Sequence, residues 1–300
     1  MKPRTLDDWL AYVSAQHPST IALGLDRVRA VAERMGLVAP AQAVTPVQAA
    51  VPAQAVTPAH AVTPAQAGAQ FPLTLTIGGT NGKGSTCAFA ERILLEAGYR
   101  VGLYTSPHLL RYNERVRIDG EDASDERLVR SFEQVEAARG DTPLTYFEFG
   151  TLAALAVFAE AKVDAAVLEV GLGGRLDAVN VIDADCSIVA SVDLDHQAFL
   201  GNDRESIGFE KAGIFRSGRP AIFGDDDPPA RLVEHAKAIG AQLQVLGRDF
   251  RYEASERQWD FLGRRGAKRA LPMPALRGRW QLKNASSVLA ALDEVAERVP

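Results

Sequence analysis

Residues 78–85 read Gly-Gly-Thr-Asn-Gly-Lys-Gly-Ser, a glycine-rich segment with one lysine and a final serine hydroxyl. A strand-like apolar stretch precedes it at 73–77, and an apolar, helix-favouring stretch follows it. A glycine-rich turn between strand and helix exposes successive backbone N–H groups, and the helix N-terminus adds the positive end of its dipole. The pattern is therefore typical of a phosphate-binding loop. The predicted phosphate contacts are Gly79, Thr80, Asn81, Gly82, Lys83, Gly84 and Ser85.

The spacing of this loop differs from the common form, because Gly84 separates the lysine from the serine. A glycine-rich turn without a ligand is the alternative. The agreement of strand, lysine, hydroxyl and helix argues against that alternative.

Polar side chains also occur where three predicted strands end, which is where ligands bind in a doubly wound sheet. Ser106 and His196 follow two apolar strands, and Glu169 ends a third. Oxygen and imidazole ligands beside a phosphate loop suit magnesium, which needs few protein ligands when phosphates and waters complete its octahedron. Taken alone, Ser106 could cap a turn and His196 could be an ordinary loop histidine, whereas a carboxylate ending an apolar strand is costly to bury unpaired. The predicted metal ligands are Ser106, Glu169, His196 and the loop hydroxyl Ser85.

Three further positions carry weaker signals. Residues 171–174 contain three glycines beside Arg175 and Asp177, which favours a backbone that approaches a ligand closely over a simple turn. By residue type alone, Lys211 is expected to be a surface lysine on a short helix, and Asn284 an ordinary helix residue.

Composition narrows the class of protein. The 300 residues suffice for one large α/β domain or two small ones, and 47% apolar with 24% charged residues is typical of a globular protein. A net charge of −5 without a lysine- and arginine-rich stretch argues against a nucleic-acid surface, so a nucleotide is the expected source of phosphate. Cys87 and Cys186 lie in apolar runs, which predicts buried thiols in a reducing compartment. The sequence shows neither a signal-peptide pattern nor a membrane-spanning run, so we expect a cytoplasmic protein.

From residue 71 onward, strand-like stretches alternate with helix-like ones. This alternation predicts an α/β fold with a doubly wound, mostly parallel sheet covered on both faces. The β-rich stretch 243–271 is too short for a second core and is expected to form an edge hairpin. Strands are predicted at 73–77, 100–104, 164–169, 186–192 and 220–223. Helices are predicted at 84–97, 124–138, 147–162, 204–216, 228–239 and 281–298.

The first 70 residues are organised differently. Residues 5–36 predict two amphipathic helices joined by an apolar loop at 17–25, which either packs in the core or contacts a ligand. Residues 40–69 repeat Pro-Ala-Gln-Ala-Val-Thr imperfectly, with a proline every six residues. Proline at this interval prevents a regular helix or central strand, and large apolar side chains that could offset the ordering entropy are missing. We therefore predict a disordered insertion at 39–70, because a small β-solenoid would need larger aliphatic residues.

Together these motifs resemble those of the bacterial bifunctional dihydrofolate synthase/folylpolyglutamate synthase family, which is related to the Mur ligases. The phosphate loop is typical of the wider ligase group, and the remaining motifs are typical of its folate branch. The resemblance covers residues 5–36 and 71–298. The folate-branch motifs are Ser106-Pro107-His108, Tyr146-Phe147-Glu148, residues 171–180, Asp195-His196, residues 210–214 and the N-terminal loop 21–27.

The resemblance implies a Mur-type ATP-binding domain and an ATP-dependent ligase of folate biosynthesis and one-carbon metabolism. In this family a carboxylate of dihydropteroate or of a reduced folate attacks the γ-phosphate of ATP. L-Glutamate then displaces phosphate from the acyl phosphate to form an amide, while the protein contributes positioning and charge neutralisation. The implied ligands are ATP, two magnesium ions and these small molecules, with neither nucleic acid nor membrane as a partner and a monomer as the expected state.

The resemblance also assigns roles to single positions. Lys83, Lys211 and His196 form the implied catalytic set, and Lys211 matches a lysine that the family carbamylates. Asn284 matches a position near the adenine. Some members carry a carboxylate where this chain has Ala22, so one polar contact to the pterin is not matched. The implied substrate contacts are Ala22, Leu23, Gly24, Leu25, Thr145, Tyr146, Phe147, Glu148, Leu176, Asp177 and Ala178.

Family members carry a further C-terminal domain of the glutamate-ligase type, which we expect this chain to lack. The expected organisation is N-terminal helices with a pterin-side loop at 1–38, the insertion at 39–70 and an ATP-binding domain at 71–300. Two alternatives to a folate ligase stay open: a nucleotide-binding remnant without turnover, and a Mur-type ligase acting on a cell-wall precursor. The loop at 17–27 argues against the cell-wall ligase, since those ligases usually place a nucleotide-sugar-binding domain there.

Overall fold

A computed structural model describes residues 3–17, 21–40 and 72–298. The insertion predicted at 39–70 lies, apart from its first two residues, outside the described residues. The main sheet is built from β1 (Leu73–Gly78), β2 (Val101–Tyr104), β3 (Val116–Ile118), β4 (Glu121–Asp122), β5 (Ala165–Glu169), β6 (Cys186–Val189), β7 (Pro220–Phe223) and β8 (Gln242–Val245). Their order across the sheet is β4-β3-β2-β5-β1-β6-β7-β8.

This sheet is mostly parallel. From β2 to β8 neighbouring strands run parallel, and β3 and β4 form an antiparallel hairpin at one edge. Every residue of β1 is buried, as expected for a parallel strand covered on both faces. Ile77 pairs with Glu169 on one side and Ile188 on the other, so the carboxyl ends of the central strands are level. The prediction of a doubly wound, mostly parallel sheet is confirmed.

Helices cover both faces of the sheet. One core contains Phe149 and Leu168 and buries α1, α2, α4, α5, α7 and α8, while the other contains Leu94, Val167 and Val288 and buries α3 and α9. Adjacent residues of β5 therefore face opposite cores, as the period of two in a strand requires. Within the described ranges, no helix has the length and apolar character needed to cross a membrane. The helices are α1 (Leu6–Ser14), α2 (Asp26–Arg34), α3 (Lys83–Glu96), α4 (Asp125–Arg139), α5 (Tyr146–Ala161), α6 (Gln197–Leu200), α7 (Arg204–Ala212), α8 (Ala230–Ile239) and α9 (Gln281–Val295).

The two N-terminal helices share a core with the sheet. Trp9 of α1 is fully buried, and its ring lies edge-on to Phe132 at 6.1 Å and 6.4 Å from the ring of Phe149. Burying a side chain of this size stabilises the docking by roughly 2–3 kcal/mol. A capping box between Thr5 and Asp8 starts the helix. This packing holds α1 against the core that covers one face of the sheet.

Residues 243–271 do not form an edge hairpin, so that expectation was wrong. The apolar residues at its start form β8, which pairs in parallel with β7 because α8 connects the two strands. The remainder forms a separate antiparallel sheet with the order β11-β10-β9. Its Trp259 and Phe261 pack in the core beneath α9. These strands are β9 (Arg251–Ala254), β10 (Gln258–Gly263) and β11 (Gly266–Pro272).

Candidate functional site

The phosphate loop is a tight connection between β1 and α3. Gly79 and Gly82 have φ angles of +141° and +88°, a region that favours glycine. A Cβ on Gly82 would lie 2.7 Å from the side-chain oxygen of Asn284, and one on Gly79 would lie 3.1 Å from two backbone nitrogens of the chain that follows β6. Because α3 begins at Lys83, the N-terminus of this helix completes a cradle for phosphate oxygens.

Two cavities share the phosphate loop as a wall. The first, the Glu169 cavity, has a volume of about 430 Å³, and the second, the Trp280 cavity, about 550 Å³. The Glu169 cavity is lined by Ile21, Ala22, Leu23, Gly24, Lys83, Ser106, Pro107, Arg115, Thr145, Phe147, Glu148, Glu169, Gly171, Leu172, Leu176, Asp177, Ala178 and His196. The Trp280 cavity is lined by Asn81, Gly82, Ser85, Ala190, Ser191, Val192, Asp193, Gly224, Asp225, Arg279, Trp280, Gln281, Lys283 and Asn284. The loop lysine therefore lines one cavity, and Asn81, Gly82 and Ser85 line the other.

Three of the four predicted metal ligands meet in the Glu169 cavity. Ser106, Glu169 and His196 line it together with Lys83, and the backbone N–H of Ser106 donates to Oε2 of Glu169 at 3.0 Å. Ser85 instead lines the Trp280 cavity, where Nε2 of Gln281 lies 3.3 Å from its hydroxyl. The structure thus brings together ligands from the ends of β2, β5 and β6.

Whether Ser106, Glu169 and His196 can hold a cation depends on the ionisation of the Glu169 carboxyl group. The residue is 4% exposed, and burial raises the pKa of its carboxyl, while the Ser106 N–H and the Lys83 charge act in the opposite direction. A cation beside it would favour the ionised form. In the part of the chain that the structure describes, no three His, Cys, Asp or Glu side chains form a metal cluster. The set fits magnesium with phosphate and water oxygens as the remaining ligands.

His196 occupies a strained backbone position between β6 and α6. Its φ of +48° is rare for a residue with a side chain. Its N–H donates to Oδ1 of Asp195 at 2.8 Å, and its Nε2 lies 3.5 Å from Oδ2 of the same residue. The imidazole remains about half exposed at the wall of the Glu169 cavity. It is therefore accessible to a ligand in that cavity.

Lys83 and Lys211 lie in different environments. The Lys83 ammonium donates to two backbone carbonyls of the phosphate loop at 3.0 and 3.3 Å. Lys211 is only 4% exposed, so the surface position expected from its residue type was wrong. Burial, together with the charge of Lys83, lowers the pKa of Lys211 to about 8. About a tenth of this amine is therefore neutral at pH 7.

Nine of the eleven predicted substrate contacts line the Glu169 cavity. The exceptions are Leu25, which is the N-cap of α2, and Tyr146. The N-terminal loop is joined to the chain after β5, because the N–H of Gly24 donates to the carbonyl of Leu176 at 3.2 Å. Segments that are far apart in sequence thus form one wall of the cavity.

Glu148 has protein partners for both carboxylate oxygens. Its Oε2 accepts the N–H of Thr145 at 2.7 Å in a capping box at the start of α5. Its Oε1 accepts Nη2 of Arg27 at 2.8 Å, and the same nitrogen donates to the carbonyl of Ala22 at 2.7 Å. Arg27, which the sequence did not single out as a site residue, therefore holds the N-terminal loop.

Asp177 is a buried carboxylate in the wall of the same cavity. It accepts the N–H groups of Leu172 at 2.8 Å and Val179 at 3.0 Å. Burial raises its pKa to about 7, although these N–H groups lower it. The ring of Phe147 lines the cavity as well. The Phe147 ring offers an aromatic face, and Asp177 offers a carboxyl group whose pKa is about 7. Such a wall suits a flat heterocycle that carries N–H donors.

Arg115 lines the Glu169 cavity and was missed by the sequence reasoning. Its Nε donates to Nδ1 of His108 at 2.8 Å. Its guanidinium lies 5.6 Å from the ring centroid of Tyr112 and 5.5 Å from that of Tyr146. The stacking holds a positive charge at the cavity wall. Since the residue ends a single turn of 3-10 helix (Tyr112–Arg115) before β3, no motif or period in the sequence identifies it.

The Trp280 cavity contains the predicted Asn284 and several residues that the sequence did not single out. Trp280 is 51% exposed, with Nζ of Lys283 at 5.1 Å and the guanidinium of Arg279 at 4.4 Å from its ring centroid. Lys283 also pairs with Oδ1 of Asp225 at 2.6 Å. The cavity thus offers an aromatic face, an amide and an ion pair next to the phosphate loop.

Comparisons with known proteins show the family of the chain. Residues 77–292 match the Mur ligase middle domain, and the chain belongs to the Mur ligase family. It is similar to the dihydrofolate synthase/folylpolyglutamate synthase of Escherichia coli (strain K12), with 45% identity over 287 residues. The match covers 96% of this chain and 60% of that protein, so the chain spans about 60% of the length of this curated relative. The predicted resemblance is confirmed.

Solved structures show the same likeness. The structure of E. coli FolC in complex with DHPP and ADP superposes with a TM-score of 0.84 and 44% identity, covering 98% of this chain and 63% of that one. A bifunctional folylpolyglutamate synthase/dihydrofolate synthase with Mn, AMPPNP and L-glutamate bound gives a TM-score of 0.81 and 43% identity, covering 98% of this chain and 64% of that one.

Proposed function

We propose that this chain binds ATP and a pteroate-type carboxylic acid on two sides of its phosphate loop and acts as an ATP-dependent ligase. The reaction adds L-glutamate to dihydropteroate or to a reduced folate. One observation carries the proposal: the phosphate loop is a shared wall, with Lys83 in the Glu169 cavity and Gly82 and Ser85 in the Trp280 cavity. A phosphate held by this loop lies between two ligand spaces, which is the placement that transfer requires.

The nucleoside part of ATP is assigned to the Trp280 cavity. The exposed Trp280 ring offers a stacking face, and the Asn284 amide offers both a donor and an acceptor to the edge of a base. The ion pair between Lys283 and Asp225 fixes the lysine over the ring. The relatives whose structures contain ADP or AMPPNP support a nucleotide as a ligand of this chain.

Magnesium is assigned to Ser106, Glu169 and His196, with Ser85 on the phosphate side, and we propose two ions. The buried Glu169 carboxylate supports this assignment, because a cation would offset the burial that raises its pKa. The relative with Mn and AMPPNP supports a divalent metal as a ligand besides the nucleotide. When bound, such ions neutralise charge on the transferred phosphoryl group.

Lys211 is proposed to be carbamylated. Carbamylation requires the neutral amine, whose nitrogen attacks carbon dioxide and loses a proton to give a carbamate. The lowered pKa of about 8 supports this, since it leaves part of the amine neutral near pH 7. The product is an anion, and its oxygens suit a second magnesium ion beside Lys83.

The acid substrate is assigned to the Glu169 cavity. Its pterin ring packs on Phe147 and donates hydrogen bonds to Asp177, while its carboxylate points to Lys83. Arg115 adds a second positive charge to the wall. The structure of the E. coli relative with both DHPP and ADP supports a second ligand besides the nucleotide.

Two balanced steps give the amide. A carboxylate oxygen of the acid forms a bond to the γ-phosphorus while the bond to the β,γ-bridging oxygen breaks, which gives an acyl phosphate and ADP. The amino nitrogen of L-glutamate then attacks the acyl carbon, phosphate leaves, and the nitrogen loses a proton. Lys83 stabilises the charge in the first step. A partly enclosed cavity limits the water that would hydrolyse the acyl phosphate.

A Mur-type ligase acting on a cell-wall precursor is the second candidate, because the matched family domain is shared by both branches. The loop tied down by Arg27 and the combination of Phe147 with Asp177 favour a flat heterocycle over a nucleotide sugar. The 45% identity to a dihydrofolate synthase/folylpolyglutamate synthase favours the folate branch as well.

The test is an amide-formation assay with two acid substrates. The chain is incubated with Mg-ATP and L-glutamate plus dihydropteroate, or with a UDP-linked muramyl peptide and its amino acid, and the products are quantified by mass spectrometry. We expect amide and ADP with dihydropteroate only, and neither with Lys83→Ala. Product from the muramyl peptide would favour the cell-wall ligase, and nucleotide binding without either product would contradict ligase activity of this chain.

A further inference from the structure

Two hydroxyl groups join the phosphate loop to the segment that follows β6. Oγ1 of Thr80 donates to the carbonyl of Asp193 at 3.1 Å and accepts the N–H of the same residue at 3.0 Å. Oγ of Ser191 donates to the carbonyl of Asn81 at 3.0 Å and accepts the N–H of Asn81, also at 3.0 Å. Each side chain thus makes a reciprocal pair of hydrogen bonds with one backbone unit across the gap.

These contacts extend the pairing of β1 with β6 beyond the ends of both strands. The N–H of Ala190 donates to the carbonyl of Gly78 at 2.9 Å, and the N–H of Thr80 donates to the carbonyl of Ser191 at 2.9 Å. Gly79 permits this approach, since a Cβ there would lie 3.1 Å from the backbone nitrogens of Ala190 and Ser191. The phosphate loop and residues 190–193 therefore form one hydrogen-bonded unit.

Thr80 has no donor left for a phosphate in this arrangement. Its hydroxyl has one proton, which goes to Asp193, and its backbone N–H goes to Ser191. Phosphate oxygens need donors, so binding a phosphate through Thr80 would break one of these bonds. The hydroxyl of Ser191 is committed to Asn81 in the same way.

The segment that these hydroxyls hold leads directly to His196. Asp193 bonds to Thr80, and the following turn positions Asp195, whose carboxylate accepts the N–H of His196 at 2.8 Å. His196 itself has the left-handed φ of +48°. A histidine in a strained conformation keeps its position only when neighbouring contacts fix it.

We propose that Thr80 and Ser191 are positioning residues that couple the phosphate loop to the 191–196 segment and thereby hold His196 in place. The consequence of this coupling rests on the proposed function. When a nucleotide occupies the phosphate loop, the imidazole of His196, which binds the metal, becomes ordered. Thr80 then acts through His196 rather than as a phosphate contact.

The test uses hydroxyl-deleted and hydroxyl-retaining variants. Thr80→Val and Ser191→Ala each remove one bridge, Thr80→Ser retains the hydroxyl at position 80 and so keeps both bridges, and Ser255→Ala is the matched control. Ser255 has an equivalent hydroxyl contact, donating to the carbonyl of Gln258 at 2.9 Å in the turn between β9 and β10. Hydrogen exchange of residues 193–197 is measured with and without metal-free AMP-PNP. Nucleotide affinity is measured by calorimetry, and folding by thermal denaturation.

In wild type, Thr80→Ser and Ser255→Ala, AMP-PNP should slow exchange at 193–197. In Thr80→Val and Ser191→Ala this protection should be lost, while the affinity for metal-free nucleotide stays within about threefold. The magnesium concentration that gives half-maximal nucleotide binding should rise by about tenfold, which corresponds to losing one or two hydrogen bonds. Retained protection in both deletion variants would overturn the coupling. A loss of metal-free affinity confined to the deletion variants would show that these hydroxyls bind phosphate directly.

Ligand-free protein provides an arm that does not depend on the nucleotide. Residues 193–197 should exchange faster in Ser191→Ala than in wild type or Ser255→Ala, and equal rates would overturn the coupling. Failure of wild type to bind AMP-PNP would contradict the proposed function instead, so the two failures are distinguishable.

Discussion

Arg27 and Glu148 are 121 positions apart in the chain, and Nη2 of Arg27 lies 2.8 Å from Oε1 of Glu148. The Glu148 side chain is 4% exposed and the Arg27 side chain 29% exposed. The same guanidinium also holds the carbonyl of Ala22. One ion pair therefore connects the N-terminal loop to the start of α5 at the wall of the Glu169 cavity.

Arg27→Met should loosen this wall without affecting the nucleotide side. The change leaves a buried carboxylate with only its capping contacts, and we expect a loss of about 1–3 kcal/mol in the free energy of unfolding. The KM for dihydropteroate should rise by about tenfold, while calorimetry should give an unchanged affinity for AMP-PNP. Arg92→Met is the control, since Arg92 forms an exposed pair with Glu96. An unchanged KM for the acid would show that the loop does not contact the substrate.

Lys83→Ala should remove nucleotide binding and leave the fold intact. The ammonium contributes charge-assisted hydrogen bonds to phosphate, and losing them should weaken ATP binding at least about tenfold. The melting temperature should change by only a few degrees, because the ammonium bonds to two carbonyls of its own loop. Lys237→Ala on the exposed face of α8 is the matched control. Unchanged affinity in a folded Lys83→Ala protein would refute the assignment of the phosphate loop.

Glu169→Gln and His196→Ala should raise the magnesium requirement more than they weaken metal-free nucleotide binding. Glutamine keeps the size of Glu169 and its contact with the Ser106 N–H but removes the charge that a cation needs. Titrating magnesium against AMP-PNP binding should shift the midpoint by about tenfold or more, roughly the value of one charged contact. Identical midpoints in both variants and wild type would place the metal elsewhere.

Asp177 should make stability depend on pH. Its folded-state pKa of about 7 lies above the ordinary aspartate value of 3.8, so the folded protein binds the proton more tightly than the unfolded chain. Protonated Asp177 contributes at most about 4 kcal/mol to the free energy of unfolding. This contribution is complete below about pH 4 and is lost as the pH rises through 7. Denaturant titrations at several pH values should show wild type losing stability relative to Asp177→Asn over this window. Parallel curves for the two proteins would contradict the raised pKa.

The sequence predicted the elements with strong local signals. The phosphate loop was found because strand, glycines, lysine and helix are contiguous, and Glu169 because a carboxylate at the end of an apolar strand is costly to bury. Arg115 and Arg27 were missed, since their importance comes from partners that only the fold brings near, such as Tyr146 and Glu148.

The sequence did not predict the burial of Lys211 or the strand pairing of residues 243–271. Lys211 has the sequence signal of a surface lysine, and only the fold, through burial at the end of α7 and the nearby charge of Lys83, lowers its pKa. Residues 243–271 were misassigned because a short apolar run does not reveal whether its partner strand is parallel. β8 joins the main sheet through α8, whereas β9 to β11 form their own sheet.

Trapping the acyl phosphate with hydroxylamine tests the central claim most directly. Hydroxylamine displaces phosphate from an acyl phosphate to give a stable hydroxamate, which mass spectrometry detects without requiring L-glutamate. We expect the hydroxamate of dihydropteroate only when the chain, Mg-ATP and dihydropteroate are all present, and none with Lys83→Ala. ADP release without hydroxamate, or no reaction in a chain that binds both ligands, would contradict phosphoryl transfer across the phosphate loop.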